Sequence, residues 1–125
     1  MYSTILPHLV VLNLTINDWI AATNTATYLA NMQTKINKIK TAGCDLILFT
    51  GAPSKITSVS AAQQQTYVDI VKGLAATNNV NLVCLTDRWG SWEAKVGVYY
   101  NADPLHPIAA GCADEAQAIY DLMPH

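Results

Sequence analysis

An acid and an imidazole stand three positions apart, each followed by a proline, in the segment Asn101-Ala102-Asp103-Pro104-Leu105-His106-Pro107. A histidine that acts as a general base needs a partner on its second ring nitrogen, which fixes the tautomer and stabilises the imidazolium. Asp103 can be that partner for His106, because both belong to one short turn bounded by proline. The segment therefore predicts a base held by an orienting carboxylate.

The same segment has a plainer interpretation. Asp103-Pro104 is typical of a turn, and a proline such as Pro107 is common where a helix begins. Taken alone, the segment favours this interpretation over the catalytic one.

Composition restricts the class of protein. A chain of 125 residues fits one domain with a real core, at the small end for a complete α/β enzyme. Only 13% of the residues are charged, about half the usual share, so the surface is expected to be polar more than charged. The formal net charge of −2 and the lack of a basic stripe do not favour nucleic acid as a partner.

Neither a metal site nor a membrane segment is indicated. The three cysteines, Cys44, Cys84 and Cys112, have neither paired nor metal-type spacing, and Cys84 is expected to be a small buried side chain. The first 14 residues lack the basic region and cleavage site of a signal peptide. No apolar run approaches the ~20 residues that span a bilayer. We expect a soluble chain without metal or cofactor, and its compartment is not indicated.

Three short apolar runs, at residues 8–14, 45–50 and 80–86, are typical of strands covered on both faces. The runs alternate with helical patterns at residues 24–41 and from Ser60 to residues 78–79.

Gly43 stands at a position suited to ending the first helix, and Ser60 at one suited to beginning the second. A final helix is predicted from residue 107 or 108 to residue 122, with proline in its first turn and Ala116, Ile119 and Leu122 facing inward. Residues 87–101, rich in aromatic side chains, are expected to form a loop with short ordered pieces.

This order predicts one domain over residues 1–125, with a three-layer α/β/α, flavodoxin-like parallel sheet of about three strands and three helices. Right-handed crossovers bring the carboxyl ends of the strands to one edge, where ligands bind in open α/β sheets. The segments that begin at Thr15, Gly51 and Asp87 are expected to meet there.

Two blocks resemble the SGNH hydrolases, the GDSL esterase and lipase superfamily. Thr15-Ile16-Asn17-Asp18 follows the first strand and is similar to the family's Gly-x-Asn-Asp block. The turn from Asp103 to Pro107 is similar to its Asp-x-x-His-Pro block, which opens the final helix. Each block alone is a weak signal, but the two in this order and context are a stronger one. The alternative for Asn17-Asp18 is to cap the following helix.

The resemblance implies a serine esterase in which His106 is the general base, Asp103 orients it and Asn17 donates to the oxyanion. A side-chain amide in that role is a known source of a few kcal/mol of transition-state stabilisation. Thr15 stands where the family usually has glycine, which is expected to tighten the backbone beside the oxyanion site.

The family's nucleophile, in a Gly-Asp-Ser block upstream of the Asn block, has no counterpart here, nor does its glycine donor. The serines present have no such context; they are Ser3, Ser54, Ser58, Ser60 and Ser91. The resemblance covers nearly the whole chain, but about the last two-thirds of a family domain, without two strands and a helix. We expect a preceding segment, another polypeptide or a partner copy to supply the rest, because an open apolar edge is a liability.

Two further residues are candidates for substrate binding. Trp89, with Trp92, could form an aromatic wall for a sugar or acyl group, although a half-buried packing role is more usual. Arg88 could bind a substrate carboxylate, although a surface ion pair with Asp87 or Glu93 is favoured. Thr15 is counted with them because of its place beside the oxyanion site.

The leading hypothesis is the C-terminal part of a serine esterase. The family's substrates include acetylated carbohydrates, lipids and small esters, and the low charge and aromatic loop favour an O-acetyl ester on a carbohydrate. Similar domains occur in phage tail proteins, such as tailspikes, and in secreted carbohydrate-active enzymes. The alternative is a non-catalytic carbohydrate-binding or assembly module of such a protein, in an oligomer. A flavodoxin-like binding domain is disfavoured because no phosphate loop follows the first strand.

Overall fold

A computed structural model of the chain describes residues 7–123. Within them three strands and six helices follow one another: β1 (Leu9–Leu12), α1 (Ile16–Ile20), α2 (Thr25–Thr41), β2 (Asp45–Phe49), α3 (Ala61–Asn78), β3 (Asn81–Val83), α4 (Leu85–Trp89), α5 (Trp92–Lys95) and α6 (Ala109–Tyr120). The sheet has the order β1-β2-β3, and both strand pairs are parallel. The predicted parallel α/β architecture is confirmed.

The central strand β2 builds a core on each side of the sheet. Leu46 and Leu48 point into one core, which contains buried residues of α2 and α3. Ile47 and Phe49 point into the other, which contains residues of α4, α6 and the loop before α6. This alternation follows from the two-residue period of a strand, and right-handed crossovers explain why α2 and α3 share one face. The three layers are therefore helix, sheet and helix.

Local signals define both long helices. The Asn24 side chain accepts from the first amides of α2, and the Ser60 hydroxyl accepts from the Gln63 amide in α3. Gly43 follows the end of α2 with a φ of +76°, and Asn79 ends α3 with a φ of +52°. Both are left-handed conformations that commonly stop helices. The predicted limits of these helices are confirmed.

The third strand is shorter than predicted. It ends at Val83, and Leu85 already begins α4. The buried Leu85 amide donates to the Thr50 hydroxyl at 2.9 Å, so the chain leaves the sheet at this point. Cys84 beside it is only partly buried.

The final helix is also shorter than predicted, because Pro107 precedes its cap residue Ile108. Ala116 is exposed, contrary to the prediction that it faces inward, whereas Gly111 and Ala118 are buried and Ile119 and Leu122 are partly buried. The helix therefore packs through its small residues.

Both edges of the sheet are unpaired within residues 7–123, because β1 and β3 each pair only with β2. Three apolar side chains of β1 and the segment that follows it are exposed: Val11 in β1 by 38%, Leu14 after it by 41% and Ile20 at the end of α1 by 37%. In this part of the chain no helix is long and apolar enough to cross a membrane.

Candidate active site

Asp103 and His106 form a closed turn. Oδ1 of Asp103 accepts from the backbone amides of Leu105 at 2.7 Å and His106 at 2.9 Å. Oδ2 lies 3.0 Å from Nδ1 of the His106 imidazole. One carboxylate oxygen therefore closes the turn while the other orients the ring, so the turn-forming and base-orienting interpretations of Asp103 describe the same geometry.

The turn keeps Asp103 ionised. The backbone amide of His106, then that of Leu105, then the imidazole, lower the pKa of Asp103 to about 2. When the imidazole is neutral, its Nδ1–H can donate to this carboxylate, and Nε2 is left as an acceptor. The His106 side chain is 74% exposed, so Nε2 is accessible to a group that approaches from outside.

Two hydrogen bonds attach this turn to other elements. Nε1 of Trp92, at the start of α5, donates to the Asp103 carbonyl oxygen at 3.1 Å. The Lys55 amide, in the loop after β2, donates to the Pro104 carbonyl oxygen at 2.8 Å. The turn is therefore held at the carboxyl edge of the sheet.

Asn17 lies at the same edge. It is exposed in α1, the short helix that follows β1. A Cβ added to Gly51, in the loop after β2, would lie 3.5 Å from the Ile16 side chain, so the start of α1 packs on this loop. The same loop reaches the turn through Lys55. The structure thus brings Asn17 and His106 to one edge, as the strand order predicts.

The capping interpretation of Asn17-Asp18 is wrong, because both residues lie inside α1 and Thr15 is its cap residue. Thr15 is only 3% exposed, and its hydroxyl lies near the buried hydroxyl of Tyr28.

The predicted ion-pair partners of Arg88 are wrong. Its guanidinium binds both carboxylate oxygens of Asp114 in α6, with Nε–Oδ2 at 2.7 Å and Nη2–Oδ1 at 2.9 Å. Asp87 pairs with Lys72 instead, and Glu93 with Lys55.

Trp89 belongs to the same network, since its Nε1 donates to Asp114 Oδ2 at 2.6 Å. Arg88, followed by smaller contributions that include Trp89, lowers the pKa of Asp114 to about 2. Trp89 is 3% exposed and packs on Tyr99 and Tyr100. Because its ring is enclosed and Arg88 is engaged by Asp114, both residues join α4 to α6 in this structure.

Nothing in the sequence indicates a role at the turn for Lys55, and for Trp92 it indicates only an aromatic wall or a packing role. A groove of about 360 Å³ lies between the loop after β2 and helices α4 and α5; its lining includes Ser54, Lys55, Gln64, Thr86 and Trp92. Because Lys55 and Trp92 also bind the turn, the groove adjoins it. A larger cavity, of about 700 Å³, opens at the opposite edge beside His8, Asp45 and Asn81 and contains none of the predicted site residues.

No serine hydroxyl among residues 7–123 forms a hydrogen bond with His106, whose imidazole pairs with Asp103. The hydroxyls of Ser60 and Ser91 cap α3 and α5. The Ser54 hydroxyl is buried, and Ser58 is exposed in the loop before α3. Ser3 lies outside the described residues. Residues 7–123 also contain no cluster of His, Cys, Asp or Glu that could hold a metal ion.

The candidate site is thus a His–Asp turn and an exposed Asn at the carboxyl edge of a parallel α/β sheet. Solved structures agree in fold. An acetyl xylan esterase, AlAXEase, is 23% identical with a TM-score of 0.80; the match covers 94% of this chain and 68% of that one. A GDSL-like lipase from Bacteroides thetaiotaomicron VPI-5482 is 22% identical with a TM-score of 0.77, covering 92% of this chain and 61% of that one.

TesA is 19% identical with a TM-score of 0.74, covering 94% of this chain and 62% of that one. This chain therefore spans about two-thirds or less of the structures that it matches. No family model and no curated protein matches the sequence. The α/β fold that the resemblance to the SGNH hydrolases implies is confirmed by these structures.

Proposed function

We propose that this chain carries the base and oxyanion half of an acyl-ester hydrolase site, with a nucleophile supplied from outside residues 7–123. The observation that carries the proposal is the His106–Asp103 pair, with 3.0 Å between Nδ1 and Oδ2 and a largely exposed imidazole. A carboxylate that accepts from Nδ1–H leaves Nε2 as the acceptor nitrogen, which is the arrangement that a general base requires.

In the proposed reaction a serine hydroxyl attacks the ester carbonyl while its proton moves to Nε2 of His106. The Asn17 side-chain amide donates to the oxyanion that forms. The carbon–oxygen bond to the alcohol then breaks, and His106 returns the proton to that alcohol. Water attacks the acyl-serine in the same way and releases the acid, with His106 again moving the proton.

The open edge of β1 supports the proposal that the remainder of the site lies on another segment. An unpaired strand edge offers backbone donors and acceptors, and the exposed Val11, Leu14 and Ile20 add apolar surface. A preceding segment, a second chain or a partner copy could pair there and supply the serine. The partial coverage of the matched structures agrees with this arrangement.

The proposed substrate is an O-acetyl ester on a carbohydrate. One of the matched structures is an acetyl xylan esterase. In this chain the lining of the groove beside the turn combines uncharged polar, charged and apolar side chains with the Trp92 ring. An aromatic ring among hydrogen-bonding groups suits the faces and hydroxyl groups of a sugar.

The first test uses the chain alone. We expect no hydrolysis of p-nitrophenyl acetate above the rate of an equal concentration of imidazole, and no labelling by a fluorophosphonate probe. Labelling of a serine in this chain would show that the proposed external nucleophile is unnecessary.

The second test joins the chain to the Gly-Asp-Ser portion of a matched esterase and confirms folding by circular dichroism. We expect acetylesterase activity, reduced at least about a thousandfold by His106→Ala and about a hundredfold by Asn17→Ala. His8→Ala is the matched control, because His8 is an exposed histidine at the opposite edge of the sheet. A folded chimera in which His106→Ala and His8→Ala have equal activity would overturn the assignment.

A non-catalytic carbohydrate-binding or assembly module of a phage-tail or secreted protein is the second candidate. Two observations favour it. No serine hydroxyl in the described residues forms a hydrogen bond with His106, and the apolar side chains of Val11 and Leu14 are exposed. Under this hypothesis the chain binds an acetylated glycan or self-associates, and His106→Ala changes neither property. Glycan titration and solution mass measurement distinguish the two candidates.

A further inference from the structure

The His106–Asp103 pair is exposed, yet its proposed function requires a fixed orientation of the imidazole ring. The side chains of His106 and Asp103 are 74% and 48% exposed, so surrounding packing restrains them little. The hydrogen bonds inside the turn fix His106 and Asp103 relative to each other, but not relative to the rest of the domain. Within the described residues, the two hydrogen bonds that reach residues 103–106 from other elements come from Trp92 and Lys55.

These two bonds hold consecutive carbonyl groups. The direction of the Asp103 carbonyl depends on ψ of Asp103, and that of the Pro104 carbonyl on ψ of Pro104. The same angles decide whether the amides of Leu105 and His106 can reach Asp103 Oδ1. Because the proline ring already restricts φ at position 104, holding both carbonyls leaves this part of the turn little freedom.

The two donors also pack on each other. Lys55 Nζ lies 5.4 Å from the centre of the Trp92 ring and 3.2 Å from Glu93 Oε1, beside Trp92 in α5. Tyr100 supports both, since its ring lies 6.2 Å from that of Trp92 and its hydroxyl donates to the Pro53 carbonyl in the Lys55 loop. Trp92 and Lys55 therefore contact each other and together hold the turn; we call this pair of residues the bracket.

We infer that Trp92 is a positioning residue for the His106–Asp103 pair, acting through its indole N–H on the Asp103 carbonyl together with the Lys55 backbone amide on the Pro104 carbonyl. This inference rests on the proposed roles of His106 and Asp103. Trp92 itself takes no part in proton transfer.

Trp92→Phe tests the inference, because it keeps an aromatic ring and removes the N–H. The readout is the tautomer of the neutral His106 imidazole, from the ¹⁵N shifts of its two nitrogens. In the wild type we expect the tautomer that carries its proton on Nδ1 to predominate. In Trp92→Phe we expect the other tautomer to rise by roughly three- to tenfold, the range that one neutral hydrogen bond supports.

Trp89→Phe is the matched control. It also loses an indole hydrogen bond, the one to Asp114, but this bond does not reach the turn. We expect it to leave the His106 tautomers unchanged even if it lowers the free energy of unfolding. Equal tautomer ratios in the wild type and Trp92→Phe, or equal changes in both variants, would overturn the inference.

A second measurement needs no variant and applies even if Trp92→Phe fails to fold. In the wild type, the Lys55 amide and the Trp92 indole N–H should exchange with solvent deuterium at least about tenfold more slowly than unstructured groups. Exchange of either group at the unstructured rate contradicts the bracket. Hydrolysis is not measured in these experiments, so a chain without esterase activity can still give either result.

Discussion

The buried hydroxyl of Tyr100 donates to the carbonyl oxygen of Pro53 at 2.6 Å. This bond joins the segment before the His–Asp turn to the loop after β2, on which both the turn and α1 rest. Tyr100 is fully enclosed, and burial raises the pKa of its phenol, so this side chain remains a neutral donor at all ordinary pH values.

Tyr100→Phe should lower the free energy of unfolding by about 1–3 kcal/mol, because the Pro53 carbonyl loses its buried donor. Urea denaturation near neutral pH measures this loss. A loss below about 0.5 kcal/mol would contradict the role given to the Tyr100 bond.

Gly111→Ala should destabilise the start of α6. A Cβ at this position would lie 2.7 Å from Pro107 Cβ and 3.0 Å from the Tyr99 carbonyl oxygen, so the helix could not approach the turn as closely. We expect a loss of about 1–3 kcal/mol, typical of overpacking. Gly73→Ala in α3 meets no atom within 4 Å and should instead raise stability by about 0.5–1 kcal/mol. Thermal unfolding of both variants checks the opposite signs.

Asp114→Asn should weaken the contact between α4 and α6. The variant loses the two-point bond to Arg88, and because Arg88 is 39% exposed we expect a loss of only about 1 kcal/mol near neutral pH. Asp69→Asn is the control, since Asp69 is exposed and accepts from the Gln65 amide alone.

The loss caused by Asp114→Asn should depend on pH in one direction. The pKa of Asp114 is about 2 in the folded chain and near 3.8 without its partners. A lowered carboxyl pKa stabilises the folded state fully above the higher value, and this stabilisation disappears as the pH falls through the lower one. The difference between wild type and Asp114→Asn should therefore be constant above about pH 4 to 5 and shrink toward pH 2. A difference that grows on acidification would contradict the pairing.

Asp103 should titrate unusually low. Its pKa of about 2 arises mainly from the His106 and Leu105 amides, so the carboxylate should stay ionised wherever the turn is intact. The ¹³C shift of the Asp103 carboxyl group, followed against pH, should give a midpoint near 2. Because the folded-state pKa is lowered, the turn is most stable above about pH 4 to 5 and loosens as the pH falls through 2. A midpoint near the ordinary value of 3.8 would show that the turn is open in solution.

Features that depend on nearby residues in the sequence could be predicted. The strand β2, the caps Asn24 and Ser60 and the stop at Gly43 follow from local spacing and chemistry. The His106–Asp103 pair was also predictable, because both residues belong to one turn. The catalytic roles of these residues and of Asn17 remain predictions.

Features that depend on distant partners could not be predicted. Arg88 meets Asp114 across 26 positions, whereas nearer acids were equally plausible from the sequence. Trp92 binds a backbone carbonyl, which every residue has, so no residue type signals the contact. The short helices α1 and α4 owe their place to tertiary packing, as the burial of Trp19 and Leu85 indicates.

The central strand β2 couples the stability of the two cores. Since Leu46 and Leu48 serve one core while Ile47 and Phe49 serve the other, a slip of β2 by one residue would exchange its contributions to both at once. Loss of either core also exposes one face of β2 to solvent, while the opposite face of the same strand belongs to the other core. The two helical layers should therefore melt together, in one cooperative transition.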